Sequence, residues 1–158
     1  MSRAQPPGGG QATIHALQAA LTAENTAVYG YGVAGAHLSG TRRAAAMRDW
    51  VGHENARDTL TAMLTARGAQ PVAAAAAYDL PFPVRNAAAA VSLVVLLEDR
   101  VTAVYLGLVG LSDPALRKFG AAAARAAALR AAQWRGSTLA FPGLDSPVPR
   151  PPSRSGRT

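Results

Sequence analysis

Residues 68–86, with Pro71, Pro81 and Pro83, interrupt a chain that otherwise carries helical periodicity from residue 11 to Gly136. This break constrains the fold most, because antiparallel neighbours in a helical bundle need only some 2–8 connecting residues. The other two connections are short. A first run over 11–38 has inward-type positions at 14, 17, 21, 24, 28, 31, 35 and 38, alternating steps of three and four. Gly40 closes it, and Thr41 is the expected cap of a second helix from about Arg42 to Arg67, stopped by Gly68. Asn86 caps a third, from Ala87 to about Val109. Ser112-Asp113-Pro114 sets a cap before a first-turn proline and opens a fourth, ending at Gly136. A helix the length of 42–67 spans about 39 Å, whereas the extended linker reaches roughly 60 Å. The sequence thus predicts an all-α, ferritin-like four-helix bundle of two helical hairpins joined by a long crossover. A simple up-down-up-down bundle with a decorated loop is the alternative.

A chain of 158 residues fits one domain with a proper core. Residues 11–144 are the expected bundle, flanked by disordered tails at 1–10 and at the Pro- and Arg-rich 145–158. Phe141-Pro142-Gly143-Leu144 is expected to fold back onto the bundle. Hydrophobic residues make up 49% and aromatics only 6%, so alanine dominates the apolar content and favours helix. With no cysteine there is no disulfide, thiolate metal site or Cys nucleophile. The opening MSRAQPPGGG has no apolar h-region, and the greasiest run, Ala87–Leu97, is too short to span a bilayer. The expectation is a cytoplasmic protein with no membrane partner. The net charge of +7 is concentrated partly in Arg117, Lys118, Arg125, Arg130 and Arg135 and in the C-terminal tail. Such a surplus suits RNA or another polyanion, but a solvated surface is the preferred reading.

"GYGVAG", residues 30–35, spells the dinucleotide-binding glycine pattern. That fingerprint must follow a strand and open a helix, where free N–H groups meet the pyrophosphate. Here it lies within a helix, and neither a dinucleotide nor a kinase site is supported. Gly30, Gly32 and Gly35 are instead expected to line a close helix contact, each costing up to about 1 kcal/mol against alanine.

Ligand-type residues stand on the inward stripes. Glu24 falls between Leu21 and Val28; His53 shares a face with Trp50, Leu60 and Leu64; Glu98 lies in the series Val91, Val94, Val101, Tyr105, Leu108. Counted from the turns, Glu24 and His53 come within roughly 3 Å of one level. Glu98 joins them if the second and third helices run parallel. The fourth helix reads inward as Leu116, Phe119, Ala123, Ala126, Arg130 and Trp134. Arg130, its one polar member, is placed to neutralise Glu98 or Glu24 by a bidentate pair.

The stretches LQAALTAENTAVYGYGVAGAHL (17–38), HENARDTLTAMLTARGAQPVAAAAAYDLPFPV (53–84), LLEDRV (96–101) and FPGL (141–144) resemble the ferritin-like superfamily. The chain is most similar there to an alanine-rich actinobacterial family of ferritin-like domains of unknown function. Metal-binding ferritin-like proteins supply one Glu from each of two helices and a Glu-x-x-His from each of the others. The resemblance matches Glu24 and Glu98 to the single glutamates and His53 to one histidine. Trp50 stands where that histidine's glutamate belongs, and Ala123 and Ala126 replace the second pair, so the di-iron site is incomplete. Two readings of Glu24, His53 and Glu98 follow. One is a residual site for a single Fe, Mn or Zn ion; the other, preferred, is a buried polar network compensated by Arg130.

His15 and His37 are expected at the surface, and Glu54, Arg57 and Asp58 in surface pairs. No catalytic nucleophile constellation stands out. The function expected is that of a non-catalytic helical scaffold or interaction protein, pairing as a homodimer through alanine-rich faces. The alternatives are a single-metal protein and an RNA- or ribosome-associated one.

Overall fold

The computed structural model describes residues 8–143 and consists of four helices: α1 (Gly8–Gly35), α2 (Gly40–Thr65), α3 (Ala87–Val109) and α4 (Pro114–Arg135). No strand occurs among the described residues, and none of their helices is long and apolar enough to cross a membrane. The expected tails fall outside the described residues, except that 8–10 belong to α1.

Local chemistry sets most boundaries. The Asn86 side chain accepts the Ala89 N–H at 2.9 Å, and Asp113 accepts those of Ala115 and Leu116 at 2.8 and 3.3 Å. Both satisfy donors that a helix start leaves free. Gly136 ends α4 in the left-handed region, at φ 78°. The start of α2 departs from expectation: its cap position is Ser39, whose side chain makes no capping bond, and Thr41 is already helical. Removing a cap that works should be measurable. Asp113→Ala is expected to lower stability by about 1 kcal/mol, seen as a fall of roughly 2–4 °C in Tm.

Two apolar clusters fill the core. One joins Leu17 and Leu21 of α1, Leu60 and Leu64 of α2, Leu108 of α3 and Leu116 of α4. The other joins Tyr31 and Ala34, Ala46, and Ala90, Leu93 and Val94, with Trp134 against it. Hence α2 and α3 run parallel to each other and antiparallel to α1 and α4. The linker starts beside the first cluster at Ala69 and reaches the second with Leu80, Phe82 and Val84. It crosses along α1: Gln18 donates to Gln70 O at 2.7 Å and accepts from Val72 N–H at 2.9 Å, and Tyr78 packs on Tyr29 at 5.6 Å. The architecture is two hairpins joined by a crossover, and the up-down-up-down alternative is excluded.

Two expectations need correction. Of the three clustered glycines, only Gly30 lies in a close contact: a Cβ there would stand 2.5 Å from Leu97 Cδ1, whereas Gly32 and Gly35 face open space. Another close helical glycine is Gly120, where a Cβ would meet Leu108 Cβ at 2.6 Å and Tyr105 O at 2.9 Å. In α4 the buried residues are Leu116, Gly120, Ala124, Ala127 and Ala131; of the expected series Leu116 is buried, Phe119, Ala123, Arg130 and Trp134 are half-buried, and Ala126 is exposed. Alanine on nearly every face left the helix's rotation unmarked. At the end of the described chain, Gly143 (φ 79°) packs on Thr102 and Ala103, so the segment does fold back, although Phe141 is exposed and Leu144 lies outside the described residues.

Candidate functional site

Between the two apolar clusters lies one polar layer. Glu24 comes from α1, His53 from α2 and Glu98 from α3, each 1% exposed or less. Charged groups are seldom buried so completely unless paired. Here they are. His53 Nδ1–H donates to Glu24 Oε2 at 2.6 Å, and the opposite ring nitrogen, Nε2, donates to Glu98 Oε1 at 3.0 Å. Arg130 reaches in from α4, its Nε donating to Glu98 Oε1 at 2.7 Å. Two carboxylates thus face one imidazolium and one guanidinium, and the buried charges cancel.

Two tyrosines close the network. Tyr105 OH of α3 donates to Glu24 Oε1 at 2.6 Å, and Tyr31 OH of α1 donates to Glu98 Oε1. The arrangement is reciprocal: each hairpin's first helix carries a glutamate and, seven residues on, a tyrosine that bonds the other's glutamate. Seven residues are close to two helical turns, so each pair shares a face. That repeated Glu-x6-Tyr spacing was the available sequence signal for the phenols, which periodicity alone reads as core aromatics.

Arg130 does not form the expected bidentate pair. Its bond uses Nε alone, all three donors to Glu98 converge on Oε1, and Oε2 is buried without a partner. Trp50, standing where the resemblance expects a glutamate, donates Nε1–H to Val28 O at 3.1 Å. The buried alanines of α4 are Ala124, Ala127 and Ala131, not the Ala123 and Ala126 that the resemblance set in place of a second ligand pair. Glu24 and Glu98 lie on opposite sides of the imidazole. Among the described residues no group of three or more His, Cys, Asp or Glu is placed to hold a metal ion.

The electrostatics follow from burial and pairing. Burial opposes protonation of His53, but hydrogen bonds to Glu24 and Glu98 and the charges of both outweigh it, raising the pKa to about 9. For Glu98, burial pushes upward, but the hydrogen bonds from His53 and Arg130 win and hold the carboxyl below its usual value. Burial, then the neighbouring carboxylates, push both phenols well above the ordinary tyrosine value. The sign for stability is set by these directions. An imidazolium favoured by folding stabilises fully below the unfolded value of 6.5, and the gain disappears as pH rises through about 9. Glu98 acts oppositely, its contribution lost as pH falls through its lowered folded value. Urea unfolding at pH 6 and pH 10 should show a loss on the order of 3 kcal/mol at the higher pH; most of it should vanish in a variant lacking His53, leaving the smaller part that the raised phenols contribute near pH 10.

The remaining candidates are peripheral. His15 and His37 are exposed, and Arg57 pairs with Glu54 at 3.8 Å and Asp58 at 2.9 Å on the surface. Much of the basic charge on α4 is committed internally. Arg117 donates to the Leu111 and Ser112 carbonyls, Arg130 to Glu98, and Arg135 to Asp99 at 2.6 Å.

Fold and site together define a four-helix bundle whose core is divided by a charge-balanced carboxylate–histidine–arginine layer. The chain belongs to the family described as domain of unknown function DUF4439, which matches residues 16–146. The crystal structure of a conserved hypothetical protein, rv2844, from Mycobacterium tuberculosis is similar at a TM-score of 0.78 and 31% identity, over 80% of this chain and 97% of that one. No curated protein matches.

Proposed function

We propose that this chain is a non-catalytic, ferritin-like bundle in which the polar layer is a structural tie rather than a metal centre. One observation carries the reading: His53 stands between its two glutamates, spending one ring nitrogen on each. A metal-binding histidine directs one nitrogen at the ion and lends the other to an orienting partner. Here that leaves Glu98 alone on the Nε2 side, and Arg130 already supplies the cation beside it. Two protein donors next to a guanidinium are a poor site for Fe, Mn or Zn.

Elemental analysis of protein purified without a histidine tag tests the reading directly. The expected outcome is substoichiometric metal and a Tm unmoved by chelator. Stoichiometric Fe, Mn or Zn that disappears in His53→Ala would establish the single-metal alternative instead.

The same reading assigns the bundle an interaction role. Ala122, Ala126 and Leu129 leave an apolar stripe exposed on α4, Leu129 at 51%, which supports pairing of two copies. An RNA-binding role has less support, since Arg117, Arg130 and Arg135 are spent within the fold.

A further inference from the structure

A cavity of about 310 Å³ opens between the second half of α1 and the first half of α2. It lies at the lower end of the range for small-molecule sites. Its shape comes from the two glycines whose missing side chains helix packing does not explain. Gly32 and Gly35 line the cavity, and no heavy atom lies within 4 Å of where either Cβ would stand. Glycine in a helix costs about 1 kcal/mol against alanine, and here no tight contact returns it.

The walls are pre-set. Trp50 is held by its bond to Val28 O, and Tyr31 by its bond to Glu98. Met47, 54% exposed, supplies an adaptable edge. Arg43 is the one charged lining residue; it has no ion pair among the described residues, and no acidic side chain lines the cavity. Apolar and aromatic walls with a single free cation complement one kind of ligand.

We propose that the cavity between α1 and α2 binds a small amphiphilic monocarboxylate, its apolar body against Trp50, Tyr31 and the glycine floor and its carboxylate on Arg43. The site shares Tyr31 with the polar layer, but the proposal holds whether that layer is a structural tie or a metal centre, since no metal and no change of protonation enters it.

Tryptophan emission reads the site. The chain has two tryptophans, Trp50 and Trp134, so the full-length Trp134→Phe protein reports on Trp50 alone. The probes are decanoate, decanol and decylammonium below their aggregation limits. Decanoate is expected to change the emission saturably, with decanol weaker and decylammonium weakest. Arg43→Gln should weaken decanoate about tenfold and leave decanol unchanged. Gly32→Leu/Gly35→Leu, which fills open space and should keep the parent Tm, should abolish the response. Equal binding of the three probes, no effect of Arg43→Gln, or full decanoate binding to the folded double leucine variant would each overturn the proposal. So would an emission change that follows protein concentration and not decanoate, which would show a second copy of the chain over the cavity.

Discussion

Replacing His53 by alanine is expected to destabilise the protein by about 3–5 kcal/mol at pH 7, the range for removing one partner of a buried ion pair. For a chain of this size that is roughly 10–15 °C in Tm. The loss exceeds that of the imidazole's packing. Glu24 and Glu98 are at most 1% exposed, and without the ring between them two carboxylates share one apolar interior with a single guanidinium. Neither retains enough donors: Glu24 keeps only Tyr105, and Glu98 keeps Tyr31 and Arg130 on one oxygen. Such a pair relieves itself by taking up a proton. The deficit of His53→Ala relative to the parent protein should therefore shrink as pH falls toward the glutamate range. A cost below 1 kcal/mol, or one indifferent to pH, would show that the imidazole does not bind the layer together.

Gly120→Ala should lower stability by about 2 kcal/mol, even though alanine is the better helix former. The new Cβ would stand 2.6 Å from Leu108 Cβ and 2.9 Å from the Tyr105 carbonyl oxygen, positions carried by the α3 backbone. Relief requires α3 and α4 to separate, and overpacking of this kind typically costs 1–3 kcal/mol. Tyr105 also bonds Glu24, so displacement at its backbone reaches the polar layer. Gly30→Ala provides the contrast. Its Cβ would meet only the far end of Leu97, which can rotate, and the change in Tm should be within a few degrees of zero. Calorimetry on both variants tests the distinction; equal losses would mean that glycine content, not backbone approach, sets the effect.

The polar layer was partly legible from spacing. Glu24, His53 and Glu98 can be placed on inward faces and at one level because helical rise and turn length are fixed by backbone geometry. Their partners could not be assigned that way. Whether Arg130 meets Glu98 or Glu24, through one nitrogen or two, depends on angstrom-scale approach between helices distant in the chain. Tyr31 and Tyr105 read as ordinary core aromatics until their hydroxyls are seen against the opposite hairpin's glutamate.

Taken alone, the amino-acid order determined what short-range chemistry controls: Asn86 and Asp113 begin helices, Gly136 ends one, and a linker with three prolines is long enough to cross the bundle. Tertiary structure decided the rotation of each helix about its axis. On α4, alanine covers so much of the surface that Ala123 and Ala126 look as inward as Ala124 and Ala127, and only packing on α3 through Gly120 selects the latter. On α1 the same uncertainty hid the difference between Gly30, pressed against Leu97, and Gly32 and Gly35, which open a cavity. A side chain as small as a methyl or a hydrogen carries almost no record of which way it faces, so in an alanine- and glycine-rich bundle that information resides in the contacts between helices.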